Sequence, residues 1–170
     1  MPRRLLRDGH VVVDDWRTLS EAAADDDSPL MLGLDQWLTG RERWIARGGR
    51  LGVILAPQHK VEMLFADLAR FSLVAAEFPG PSEGRGYTQG RLLRERWRFR
   101  GELRATGAIG RDQIFFLARC GFNSFELPDA QIENAAAAFS TFSAAYQSSN
   151  DAGLAAPLPH RWAQYGKAGV

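Results

Sequence analysis

The chain has 170 residues, of which 45% are apolar, and its formal net charge at pH 7 is +1. These values fit one globular domain and exclude disorder of the whole chain. No apolar run approaches the roughly 20 residues of a membrane-spanning helix, and the basic start lacks the apolar run of a signal peptide, so we expect a cytoplasmic protein without membrane contact. The single cysteine, Cys120, excludes an internal disulfide and a cysteine-rich metal site supplied by this chain alone.

Two segments of opposite charge stand out from this nearly neutral background. Residues 85–111 contain eight Arg and two Glu, a balance of +6, whereas residues 14–35 contain seven acids and one Arg, a balance of −6. Most basic residues are Arg, whose planar guanidinium suits two-point binding of carboxylate, phosphate or sulfate. The two segments can pair with each other, and the basic segment is a candidate anion-binding region.

In chain order, the first predicted elements are a hairpin and an acidic loop. Apolar residues flank the turn-forming pair Asp8-Gly9 in "LLRDGHVVVDDW", and we expect this N-terminal β-hairpin to cover a sheet edge. The stretch "SEAAADDDSP" is polar and predicts a loop.

Five short apolar runs follow, each succeeded by a segment with helical spacing: "LMLGL", "LGVILA", "SLVAAEF", "GELRATG" and "SFEL". This alternation predicts an α/β fold of five successive β-α units around a mainly parallel sheet. Parallel strands require crossover connections, which are almost always right-handed, so the units form either an open wound sheet or a partial barrel.

The connecting segments place apolar residues at the spacing of buried helix faces. In the second connection one such stripe is predicted to be core: Val61, Leu64, Phe65, Leu68 and Ala69. Asp35, Thr88 and Asp129 are predicted N-caps of the first, third and last helices. The chain becomes rich in Ser, Gly and Pro near its end. We predict a single domain over residues 1–147 and a C-terminal arm or flexible tail over residues 148–170.

Loops that leave the carboxyl ends of parallel strands gather on one rim, where α/β folds bind ligands. The third loop, "FPGPSEGRGYT", leads into a helix start, where free N–H groups and the helix dipole favour an anion. Its glycines let the backbone approach a ligand closely, and arginines supply charge. The predicted anion-binding residues are Gly84, Arg85, Gly86, Tyr87, Thr88, Arg104 and Arg111.

Three carboxylates near this rim are candidate polar partners of the anion: Glu77, Glu102 and Asp112. The alternative is structural, with the glycines shaping a turn, Arg85 paired with Glu83 or Asp112, and Glu102 paired with Arg104 in an ion-pair lattice. His59 is the one histidine expected at the rim, so no metal site is predicted. Nucleic acid is a weak candidate partner, because interleaved arginine and aromatic residues more often divide between core and solvent.

The stretch "EFPGPSEGRGYTQGRLLRERWRFRGELRATGAIGRDQIFFLARCGFNSFEL", with "DDW", "LDQWL", "LGVILAP" and "AAYQ" elsewhere, closely resembles the bacterial domain of unknown function 934 family. That family is sometimes labelled a probable oxidoreductase, and its members are typically encoded beside sulfite or nitrite reductase and other sulfate-assimilation genes. The resemblance therefore implies a role in sulfur assimilation. The sequence has no dinucleotide fingerprint, flavin signature or cysteine pair, and we predict no cofactor.

Two functional hypotheses follow. The first is an accessory protein of bacterial sulfite reduction, with a sulfite reductase component as partner and an Arg-rich rim that binds a small anion. The second is a small enzyme acting at the same rim on a phosphate-, sulfate- or carboxylate-bearing substrate, with Glu77, Glu102 or Asp112 moving a proton. The apolar stripes and an exposed sheet edge also favour a homodimer.

Overall fold

The computed structural model describes residues 3–21, 27–80 and 82–141. Within these ranges eight strands form one sheet in the order β2-β1-β8-β7-β6-β5-β4-β3. The strands are β1 (Arg4–Arg7), β2 (His10–Val13), β3 (Arg17–Thr18), β4 (Leu30–Gly33), β5 (Leu51–Leu55), β6 (Phe71–Phe78), β7 (Glu102–Gly107) and β8 (Ser124–Phe125). The helices are α1 (Leu34–Thr39), α2 (Arg41–Ala46), α3 (Arg85–Glu95), α4 (Ile114–Arg119) and α5 (Asp129–Thr141), with 3-10 turns at Val61–Leu64, Leu68–Arg70 and Arg111–Gln113.

The sheet is mostly parallel and curled like half a barrel. Strands β3 to β8 are parallel and lie side by side in chain order, whereas β1 pairs antiparallel with both β8 and β2. The predicted α/β class is therefore confirmed, and the strand order is that of a barrel arc, because an open wound sheet reverses its order at a switch point. Asp8 and Gly9, both with positive φ, form the turn between β1 and β2.

A short connection explains why the sheet curls. β2 and β3 lie at opposite edges of the sheet, yet only residues 14–16 separate Val13 from Arg17. Four Cα steps span at most about 14 Å, whereas the edges of a flat sheet of this size would lie about 33 Å apart. The two edges must therefore approach each other, and residues 14–16, which we call the edge link, cross between them.

Alternation along the strands divides the interior into two faces. Residues such as Val53, Val74 and Leu103 point to the convex face and form the main core with the helices. On the concave face Trp16, Met31, Leu73 and Ala75 form a second, smaller core. The Trp16 ring lies over Gly52, where an added Cβ would be 3.1 Å from the ring. The edge link therefore fills part of the hollow that the curled sheet creates.

Two predicted helices differ from the structure. The first connection contains two short helices that meet at Gly40, and Asp35 lies inside α1, whose N-cap is Gly33. The second connection consists of two 3-10 turns, which bury Val61, Leu64 and Leu68 but leave Phe65 and Ala69 of the predicted stripe exposed. A 3-10 turn repeats every three residues, so Phe65 falls outside the buried stripe that a period of 3.6 predicts.

The structure also defines the first residues of α3 and α5. Helix α3 begins at Arg85, and Thr88 therefore lies within it and does not cap it. Asp129, the predicted N-cap of the last helix, is the first residue of α5 and lies in its first turn. The predicted arm over residues 148–170 lies outside the described residues. None of the helices in the described part is long and apolar enough to cross a membrane.

The buried ion pair between Arg104 of β7 and Asp14 of the edge link joins the middle of the sheet to its edges. Both Arg104 nitrogens Nη1 and Nη2 donate to the Asp14 carboxylate at 3.0 Å. The Asp14 side chain has no exposed surface, and the Arg104 side chain is 1% exposed. Arg3 Nε also donates to Asp14 at 2.8 Å. Removing one member of such a buried group leaves charges without a partner.

We expect Asp14→Ala to lower the free energy of unfolding by about 3–5 kcal/mol, the usual cost of breaking a buried ion pair from one side. Asp15→Ala is the matched control, because neighbouring Asp15 pairs with Arg50 at the surface and its side chain is 53% exposed. An exposed pair contributes about 0–1 kcal/mol. Urea denaturation of the two variants measures both values, and equal losses would contradict the role of Asp14.

Candidate functional site

The carboxyl ends of three neighbouring strands present a row of polar side chains on the concave face. Glu77 of β6 is in register with Thr106 of β7, and Glu126 follows β8 directly. The Thr106 hydroxyl donates a hydrogen bond to Glu126. Arg3 Nη1 lies 3.8 Å from the other oxygen of Glu126. We call Glu77, Thr106 and Glu126 the concave rim.

Beneath this rim, Arg104 is the centre of an ion-pair lattice. Besides Asp14, it binds Glu102 Oε1 through Nε at 3.1 Å and Nη2 at 2.8 Å. Glu102 in turn accepts a hydrogen bond from Arg7 at 3.3 Å. Burial opposes the charge of Arg104, but the nearby carboxylates of Glu102 and Asp14 outweigh it and raise the Arg104 pKa. The predicted anion-binding Arg104 thus already holds two carboxylates of its own chain.

Arg85, the other predicted centre of the anion site, is also paired. Its Nε and Nη2 atoms donate to the two oxygens of Glu83 at 2.9 and 2.7 Å. The backbone N–H of Arg85, in the first turn of α3, donates to Glu83 Oε1 at 3.0 Å. The carboxylate of Glu83 therefore lies where a free anion was predicted to bind, which is the structural alternative considered from the sequence.

The other predicted residues around α3 have distinct surroundings. Gly86 is buried, and an added Cβ would lie 2.4 Å from Cζ of Phe78, so the glycine is required by packing against that ring. Gly84 is exposed, with open space around its Cα. The Tyr87 hydroxyl accepts a hydrogen bond from Gln113 at 3.3 Å, and burial raises the Tyr87 pKa. Thr88 and Arg111 are exposed.

The three candidate carboxylates differ in their contacts and exposure. Glu102 is held by Arg7 and Arg104, and Asp112 is exposed in the 3-10 turn that precedes α4. Glu77 is half-buried, and no hydrogen bond or ion pair joins its side chain to another described residue. Of the three, Glu77 is therefore the carboxylate left available to a ligand.

Sequence reasoning missed two members of the concave face, Arg3 and Asp14. The spacing in "GELRATG" placed Glu102, Arg104 and Thr106 on one strand face, but a strand pattern does not identify partners on other strands. Asp14 lies 90 residues from Arg104 in the chain. The opposite charges of residues 14–35 and 85–111 were the available signal, and Asp14 with Arg104 is one pair between them.

The described residues also bear on metal binding and thiol chemistry. No cluster of three or more His, Cys, Asp or Glu side chains suited to a metal ion occurs among them. Cys120 is partly buried, and this burial raises the pKa of its thiol. A raised thiol pKa reduces the thiolate fraction at neutral pH, which favours a packing role for this cysteine.

The Glu83 pair gives a prediction about pH. The side chain and backbone N–H of Arg85 lower the Glu83 pKa from 4.5 to about 2. A carboxyl group with a lowered folded-state pKa stabilises the fold above the unfolded pKa, and this contribution is lost as the pH falls from about 4.5 to about 2. We expect the Glu83 carboxyl carbon to titrate near pH 2 by NMR. Arg85→Ala should move the midpoint toward 4.5, and Arg85→Lys should give an intermediate value; a wild-type midpoint near 4.5 would refute the pairing.

Residues 52–156 match the model of a family described as "Bacterial protein of unknown function (DUF934)". The match begins within β5 and includes Glu77, Arg104 and Glu126, whereas Asp14 and the edge link lie outside it. No curated protein matches the chain. Because the family model covers more than half of the 170 residues, the chain belongs to this bacterial family of unknown function.

Proposed function

We propose that this protein is an accessory protein of bacterial sulfite reduction that acts by binding a component of sulfite reductase. The gene neighbourhood typical of the family supports the choice of partner. The contacts of the arginine-rich segment support binding over catalysis, and the exposed aromatic residues of the convex side supply a surface for the partner.

Three arginines of the basic segment hold the chain together. Arg85 pairs with Glu83, and Arg104 holds Asp14 and Glu102. Arg94 donates to the carbonyl oxygens of Phe99, Gly101 and Gly121 and to the side chain of Asn123, at 2.6 to 3.2 Å. The guanidinium groups of Arg94 and Arg104, each with several partners, are costly to divert to a substrate, whereas the Arg85 side chain is 63% exposed and has only a local partner. The cluster of positive charge in the sequence therefore serves the fold first.

The observation that carries the proposal is the exposed Phe65 ring, which packs on the half-buried Trp97 beside α3. Phe65 is 67% exposed, and its ring centroid lies 4.8 Å from that of Trp97. Met63 nearby in the chain is 46% exposed, and the Arg96 guanidinium lies 5.3 Å from the Trp97 ring. Aromatic residues, Met and Arg are enriched at protein interfaces and in their energetic centres. We call Met63, Phe65, Arg96 and Trp97 the Phe65 surface.

We expect Phe65→Ser to weaken binding to purified sulfite reductase of the same organism by about 30-fold, the effect of losing an aromatic centre worth about 2 kcal/mol. Phe116→Ser is the matched control, because Phe116 of α4 is also strongly exposed, at 59%. This control should change the Kd less than about twofold. Isothermal titration calorimetry with each reductase subunit measures the three Kd values. Absence of binding, or equal effects of both variants, would refute the proposal.

The proposal includes an anion at the start of α3, which must displace the Glu83 carboxylate. An acidic side chain of the partner and a small anion such as sulfate offer the same chemistry to Arg85 and to the free N–H groups there. Intramolecular Glu83 competes with both, so an external anion binds only weakly to the wild-type protein.

Removing the competitor should therefore strengthen sulfate binding. We expect sulfate to raise the Tm of Glu83→Ala more than that of wild type, because the Arg85 guanidinium and backbone N–H become available. Adding Arg85→Ala to this variant should remove most of the gain. Glu133→Ala controls for the loss of one negative charge, since Glu133 lies on α5 with a 69% exposed side chain. Equal sulfate responses in all four proteins would contradict an anion site.

The second candidate function is a small enzyme acting on an anionic substrate at the same end of the sheet. The half-buried and unpaired Glu77 favours it, because a proton-transfer group must be free to contact its substrate. In this alternative Glu77 moves the proton and the start of α3 holds the anionic group. A homodimer formed through the edges of β2 or β3 is compatible with either function.

A further inference from the structure

The concave face of the described sheet carries an unbalanced charge. The carboxylates around the rim are Asp14, Glu77, Glu102 and Glu126. Asp14, Glu102 and Glu126 each contact at least one guanidinium. The Glu77 side chain contacts none among the described residues, and it is therefore the excess negative charge of this rim.

The position of Glu77 makes this excess costly. The residue is half-buried at the end of β6, with buried Ala75 two residues before it on the same strand face. A carboxylate that loses part of its hydration without gaining a partner destabilises the folded protein. Residues that are unfavourable for stability in this way are typical of binding sites, where the ligand supplies the missing partner.

A second, independent feature of the same face is the side chain of Ser124. This serine is fully buried, and its Oγ has no hydrogen-bond partner. Its neighbour Phe125 packs in the convex core, so Ser124 points into the concave hollow, on the same strand face as Glu126. An unpaired buried hydroxyl costs about 1–3 kcal/mol, and a polar ligand reaching below the rim would remove that cost.

We infer that the concave rim, with Ser124 beneath it, binds a small organic ammonium compound that also carries a hydroxyl group. The ammonium pairs with Glu77 and balances the charge of the face. The hydroxyl reaches the polar groups of Thr106, Glu126 and Ser124.

This inference stands apart from the accessory role, because the Phe65 surface belongs to the helical side of the sheet and the concave rim to the other. A metal ion is a poorer candidate, since the described residues lack three suitable ligands in one place. An added anion would increase the excess negative charge. A ligand with one positive charge and a hydrogen-bonding group therefore fits the face best.

The experiment uses ethanolammonium chloride as the probe and Glu77→Gln as the test variant. In the absence of probe, we expect this variant to keep or slightly raise the Tm, because it removes an unpaired charge. The probe should raise the Tm of wild type above a sodium chloride control and shift the NMR amide signals of Thr106 and Ser124. Glu77→Gln should weaken the Kd at least tenfold, whereas Glu133→Gln should leave it unchanged.

Three results would overturn the inference. They are a probe response no larger than that of sodium chloride, an unchanged Kd in Glu77→Gln, and a loss of Tm in Glu77→Gln as large as that in Glu102→Gln. The last result would identify Glu77 as a structural group, as Glu102 is through Arg7 and Arg104. Phe65→Ser should leave the ethanolammonium response unchanged, so failure of this site and failure of the accessory role can be told apart.

Discussion

The ion pair between Arg104 and Asp14 is the interaction on which the architecture depends. The edge link is too short to let the sheet lie flat, so its three residues must pass over the concave face close to the middle strands. Arg104 on one of those strands cannot be buried without carboxylates, and Asp14 supplies one directly from the link. The contact between Asp14 and Arg104 therefore holds the link against the curved sheet and also neutralises the buried charge. Trp16 fills the adjacent space over Gly52.

This arrangement explains why a nearly neutral protein concentrates arginine in one segment. Arg104 and Arg94 use the planar guanidinium to hold several groups at once: two carboxylates for Arg104, and three carbonyl oxygens for Arg94. Lysine, with a single compact charge on a flexible stem, could not bridge these sets in the same way. Part of the acidic segment lies in the edge link, where Asp14 contacts Arg104 of the basic segment. The two segments of opposite charge therefore meet in the folded protein.

Much of the fold could be predicted from the sequence because buried parallel strands have a simple signature. All five apolar runs coincide with strands, and the Asp8-Gly9 turn was equally clear. The two-residue strand β3 was missed because Arg17 and Thr18 have no apolar pattern, and its existence depends on pairing with β4. The second connection was wrong in detail because apolar spacing does not separate a period of 3.6 from one of 3.0. That difference moved Phe65 from the predicted core to the surface.

The site was harder to predict because its properties depend on pairing between distant residues. The sequence showed that Arg85 lies at a helix start, but Glu83 two residues earlier already uses the charge and the N–H group there. Nothing next to Glu77 in the chain distinguishes it from other carboxylates. It becomes a candidate only because Asp14, Glu102 and Glu126 contact guanidinium groups and Glu77 does not. A carboxylate becomes a candidate for ligand binding when no surrounding residue supplies it with a hydrogen bond or a positive charge. For this family, the concave face therefore offers a more specific basis for functional experiments than the concentration of arginine that the sequence displays.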